Sequence, residues 1–126
     1  MQTTLRLAAI YNLIWGASVI LFPSLAFDVL SIPVPADLSI WQGMGMVIGV
    51  YGIGYWLASY DPIRHWPIVA VGFLGKVFGP LGYVFNVLQD KISPAFGWML
   101  IPNDLIWWIP FGLILWKVHQ QNWPLK

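Results

Sequence analysis

The sequence predicts an all-α fold, one membrane domain over residues 1–126 built as a four-transmembrane-helix bundle with N and C termini both cytoplasmic. Three observations carry that expectation. Hydrophobic residues make up 59% of the chain and charged residues only 9%, against roughly 25% charged in soluble domains. Four apolar stretches, about 5–22, 38–60, 62–88 and 103–118, approach or exceed the ~20 residues that cross a bilayer as helix. Basic residues then fall unevenly at their ends. Arg6, Arg64, Lys117 and Lys126 share one side and Lys91 stands alone on the other, so the positive-inside bias places both termini in the cytoplasm.

Each element follows from local chemistry. The first run, Leu5 to Phe22, is closed by Pro23. It reads as a span rather than a cleaved leader, despite Ser24-Leu25-Ala26, because it is long, contains Tyr11 and Asn12 and lacks a strong basic flank. Ser24 to Leu30 is expected along the interface, with Leu25, Phe27 and Leu30 inward and Asp28 toward water. Ile32-Pro33-Val34-Pro35 is a stiff extended link, since each proline fixes its own φ and restricts the residue before it. Asp37 caps the second helix, Leu38 to Tyr60. Its glycines 45, 49 and 52 match glycines 72, 75, 79 and 82 of the third, so these two helices are expected to form the tightest pair. In the short loop between them Asp61 is the expected cap and Pro62 the first helical residue, with Tyr60 and Trp66 in the aromatic belt. Gln89-Asp90-Lys91 marks the opposite surface, and Ser93 to Trp98 an interfacial stretch. The fourth helix is expected from Pro102-Asn103-Asp104 to Val118, bent at Pro110, with Trp116, Lys117 and Trp123 closing the chain at the interface.

Composition removes several function classes. Without cysteine there is no thiol redox chemistry, thiolate metal site or iron–sulfur ligation. A net charge of +1 supplies no basic footprint for nucleic acid. There is no nucleophile elbow, phosphate-binding loop or carboxylate pair for hydrolysis, and all five acidic residues are aspartates. His65 and His119 both map to the cytoplasmic boundary and read as surface histidines rather than metal or haem ligands. No cofactor and no metal are expected.

The feature that organises the rest is Lys76. It has about ten apolar or small residues on either side, which places its charge near a bilayer midplane. Pro80 has no N–H for the carbonyl of Lys76, so one helical turn offers an ammonium and a freed carbonyl. Charges at that depth face a protein interior or a wet cavity, which makes Lys76 a site candidate; the alternative is a lysine that snorkels to set helix depth. Asp104 either satisfies the free N–H groups at a helix start or pairs with Lys76, which requires helix four to begin deep in the membrane. Tyr83 and Asn86 share the Lys76 face, and Gln42, Asn103, Asn12 with Tyr11, and Tyr51 with Tyr55 could complete a polar lining. Trp107 or Trp108 could wall a pocket beside Asp104.

Tyr11-Asn12-Leu13-Ile14-Trp15-Gly16, Ile40-Trp41-Gln42, Gly49-Val50-Tyr51-Gly52, Asp61-Pro62-Ile63-Arg64-His65-Trp66, Leu74-Gly75-Lys76 and Asn103-Asp104-Leu105-Ile106-Trp107-Trp108 together resemble a family of uncharacterised bacterial four-helix integral membrane proteins. In architecture the chain is also distantly similar to DoxX-like proteins. Members of the resembled family are sometimes labelled alkyl hydroperoxide reductase, a chemistry that needs thiols this chain lacks. The resemblance implies a bacterial inner-membrane location and no substrate. The expected function is a buried polar site around Lys76 that binds or transports a small anionic or amphipathic ligand, a small molecule or a lipid. The rival is a non-catalytic accessory subunit that packs through its glycine faces in a homo-oligomer or against a membrane-protein partner. An intramembrane enzyme using Lys76 as acid or base lacks a convincing partner base.

Overall fold

The computed structural model describes residues 1–122, and the expected interfacial Trp123 and the C-terminal Lys126 lie outside them. The described chain is all-helical, and three of its helices are long and apolar enough to cross a membrane: Gln2–Leu21, Trp66–Leu88 and Pro94–Gln121. We label α1 Gln2–Leu21, α2 Leu25–Val29, α3 Ser39–Ala58 and α4 Trp66–Leu88. The last long helix is composite. A 3-10 turn at Pro94–Phe96 leads into α5 Gly97–Leu100, a π-helical turn at Ile101–Leu105, and α6 Ile106–Asn122. At 20 residues α3 matches α1 in length.

The tight helix pair is α1 with α3, where the sequence pointed to α3 with α4. The two run antiparallel: Gln42 Nε2 donates to the Ile20 carbonyl (3.0 Å), Asn12 Nδ2 to the Ile48 carbonyl (3.2 Å), and Arg6 Nε to Ser59 Oγ (3.2 Å). Their glycines explain the approach. A methyl group on Gly16 would strike the Gly45 carbonyl oxygen, and one on Gly52 would lie 2.9 Å from the Ala9 carbonyl oxygen. The small-residue stripe of α3 is therefore spent on α1, while methyl groups on Gly75 and Gly82 of α4 would meet nothing within 4 Å. The second pair is α4 with the composite helix. A core of Leu5, Ala8, Tyr55, Val69, Phe111, Ile114 and Val118 joins the two pairs and holds the start of α1 beside the end of α6. Large apolar side chains cover the outer faces, with Leu88 at 79%, Ile109 at 75% and Val29 at 72% exposure, as in a helix bundle whose solvent is hydrocarbon.

Two helix starts depart most from expectation. Helix α4 starts at Trp66, not 62, because the Asp61 carboxylate accepts the Arg64 N–H (3.1 Å) in a separate turn, leaving Pro67 in the first helical turn. The last span begins at Pro94, not 103, since Ser93 Oγ accepts the Ala95 N–H (3.3 Å) and the chain stays helical through Pro102 by widening into the π turn. Helix α3 starts one residue later than expected, with Leu38 in the cap position; Asp37, just before it, still accepts the Ser39 N–H on its carboxylate at 2.9 Å. Of the apolar residues assigned to the short α2, Phe27 is buried and Leu25 faces outward.

Candidate functional site

Between the two helix pairs lies a cavity of about 820 Å³, a volume typical of small-molecule sites. Its outer end is bounded by the link at Ile32, Pro33 and Pro35 and by Asp37 and Lys91. Its walls include Ile40, Met44, Val47, Ile48 and Met99, and its inner end is Lys76 and Asp104. Trp15, Phe27, Trp41 and Phe96 form one edge-to-face cluster along the wall, with centroid separations of 5.1 to 6.2 Å. The buried Trp41 indole N–H has no hydrogen-bond acceptor and sits among these rings.

Lys76 lies one position before Val77, the midpoint of α4, and is only 5% exposed. It does not snorkel. Its Nζ donates to the Asn103 carbonyl oxygen at 2.8 Å and stands 5.6 to 5.7 Å from the ring centroids of Tyr55, Trp107 and Phe111. The ammonium is thus held by one carbonyl and three π faces, an arrangement that partly replaces its hydration. The carbonyl that Pro80 leaves free accepts the indole N–H of Trp108 at 2.8 Å. Trp107, 9% exposed, donates its own N–H to the Pro102 carbonyl (2.8 Å), which fixes the ring that faces Lys76.

Asp104 belongs to the π turn, ten residues after the start of the composite helix, so it is not the helix-start residue that the sequence suggested. The early start carries it inward beside α4. A methyl group on Gly79 would lie 2.8 Å from Asp104 Oδ2, so the carboxylate rests against that glycine. No ion pair joins it to Lys76, and no protein hydrogen bond reaches it among the described residues. Lys76 instead takes the neighbouring backbone carbonyl.

The remaining expected residues separate into four groups. Asn103 supplies that carbonyl and accepts the Tyr11 hydroxyl on its side-chain oxygen, tying α1 to the π turn. Asn12 and Tyr51 line the cavity, Asn12 while bracing α1 on α3 and Tyr51 edge-on to Tyr55 at 6.4 Å. Tyr83 and Asn86 line it too, with their donors already used: the Tyr83 hydroxyl donates to the Pro94 carbonyl (2.6 Å), and Asn86 Nδ2 to the Gly82 carbonyl (2.8 Å). Gln42 is outside the cavity, because its amide closes the far end of α1 instead. Phe111 and the aromatic cluster at the outer end were not anticipated. Only the excess of aromatic residues, 17% of the chain, pointed that way.

Among the described residues, no group of three or more His, Cys, Asp or Glu side chains is placed to hold a metal ion. No protein-family model, curated protein or solved structure matches the chain.

Proposed function

We propose that the chain is a multi-pass bacterial inner-membrane protein, with α3 as a fourth span and both termini cytoplasmic, that binds a small amphipathic ligand between its helix pairs. The observation that carries this reading is the cavity itself: about 820 Å³, apolar and aromatic along its length, with Lys76 and Asp104 at its inner end. Of the two ligand chemistries compatible with the sequence, anionic or amphipathic, the apolar walls favour the amphipathic one.

The test is saturable thermal stabilisation of the protein in phosphatidylcholine nanodiscs by ten-carbon amphiphiles: one cationic, one neutral, one anionic. At least one should raise the melting temperature of the native protein. A Gly75→Leu change should remove that rise while leaving the unliganded melt within a few degrees, because Gly75 lines the cavity and a side chain there enters open space. Absence of stabilisation by all three, or stabilisation undiminished in Gly75→Leu, would refute the reading. Reporter fusions at the two termini test the topology, with cytoplasmic signals expected from both.

A further inference from the structure

We infer that the head group this cavity selects is cationic and is received by Asp104, so that the ligand is an amphipathic amine or quaternary ammonium. The inference rests on the binding reading above and goes further by assigning the charge.

The four charged residues around the cavity fall into two opposite pairs, Asp37 with Lys91 at the outer end and Lys76 with Asp104 at the inner end, so net charge does not decide the ligand. Prior occupation does. The Lys76 ammonium is 5% exposed, gives a proton to the Asn103 carbonyl at 2.8 Å and is enclosed by the rings of Tyr55, Trp107 and Phe111. An anionic head would have to enter that ring of aromatic faces to reach the remaining N–H groups of Lys76, and would there meet the Asp104 carboxylate in a poorly screened space. Asp104 is in the opposite condition. It lines the cavity, accepts nothing from the protein among the described residues, and its oxygens are not sealed off, since the sole buried unpartnered side-chain N or O among those residues is the Trp41 indole nitrogen.

A carboxylate accepts only, so the group that completes it must donate a proton or carry positive charge. Tyr11, Trp15, Tyr51 and Tyr55 line the same cavity, and aromatic faces stabilise a cation next to a carboxylate in a way they do not stabilise an anion. Lys76 stays turned to its own cage of rings and the Asn103 carbonyl, and the chain-length contacts fall to Met44, Val47 and Ile48.

The experiment measures Kd for decyltrimethylammonium, decanol and decanoate in phosphatidylcholine nanodiscs by intrinsic tryptophan fluorescence, with empty discs subtracting partition into lipid. The expected order is the cation at least tenfold tighter than either other probe, with that margin lost in Asp104→Asn and decanol unaffected. Gly79→Ala is the second variant: its methyl group, 2.8 Å from Oδ2, shifts the carboxylate without removing charge and should weaken the cation several-fold. If Asp104→Asn fails to assemble, the native ranking and Gly79→Ala decide. Decanoate as the tightest probe, equal affinities for the three, or a cation margin retained in the variants would overturn the assignment and leave the cavity as a binding site. Failure of every probe to bind saturably would overturn the binding reading as well.

Discussion

Trp108→Phe should destabilise the protein by about 1–2 kcal/mol, and the cost should depend on whether residue 80 is proline. The change keeps an aromatic ring and deletes only the indole N–H, which donates to the Lys76 carbonyl at 2.8 Å. That carbonyl is without an i+4 donor because Pro80 occupies the position that would supply it. Losing a neutral hydrogen bond of this length costs ~0.5–1.5 kcal/mol, and orphaning a carbonyl in a region as buried as Lys76 raises the figure toward the upper end of ~1–3 kcal/mol. Alternative partners found in the membrane-embedded unfolded state pull it back, so the middle of the range is expected. In a Pro80→Ala background the backbone can serve its own carbonyl, and the same Trp108→Phe change should cost no more than ~0.5 kcal/mol. The coupling, about 1 kcal/mol, is measurable by a double-mutant cycle in mixed-micelle unfolding. Equal costs in the two backgrounds would refute the claim that the indole replaces the missing proline donor.

Three further outcomes follow from local geometry. Gly16→Ala should destabilise by ~1–3 kcal/mol, because the added methyl meets the Gly45 carbonyl and neither backbone yields cheaply, whereas Gly43→Ala, which meets nothing within 4 Å, should be neutral or stabilising by up to ~1 kcal/mol; paired melts compare them. The N–H of Ser39 holds the Asp37 carboxyl below the usual range, so its contribution to the start of α3 is complete above the unfolded-state pKa and is lost as pH falls through the lower folded value; carboxyl NMR of Asp37 should show the depressed midpoint, and Ser39 amide exchange should quicken below it. Asp90 sits at φ 56° just after α4, where the Lys91 N–H reaches back to the Asn86 carbonyl at 2.9 Å, so Asp90→Gly should stabilise by ~0.5–1 kcal/mol in the same unfolding assay.

How much of this was legible in the sequence differs from residue to residue, and the reason is range. Pro80 announces a freed carbonyl four residues back because that relation is local to one helix; that Trp108 would answer it is set by a neighbour 32 residues away. The glycine spacings on α3 and α4 announce close helix approach, and both stripes are equally good invitations. Only the shape of α1, with Gly16 and Ala9 opposite Gly45 and Gly52, decides which is taken. The sequence puts Asp104 at a helix start, where the apolar run after Pro102-Asn103-Asp104 begins. The chain instead runs on from Pro94 through a π turn, a conformation that local preference does not encode. Polarity alone points Gln42 to the lining, and the carbonyl of Ile20 claims it.

These cases share one cause, and it shapes the site. Among the described residues, α4 and the composite helix do not meet through charged side chains pairing with one another. Each offers side-chain donors to the other's irregular backbone: Lys76 to the Asn103 carbonyl, Trp108 to the Lys76 carbonyl, Tyr83 to the Pro94 carbonyl. Those carbonyls lie where a proline or a π turn breaks the regular helix, and an apolar environment without water makes such donors necessary. Trp108 and Tyr83 each spend their single donor this way, and the Lys76 ammonium is turned to the Asn103 carbonyl rather than to a carboxylate. Asp104 is consequently left facing the cavity with acceptor oxygens and no protein proton to receive, so the unmet polarity at the inner end of the cavity follows from how the two helices solve their backbone problem.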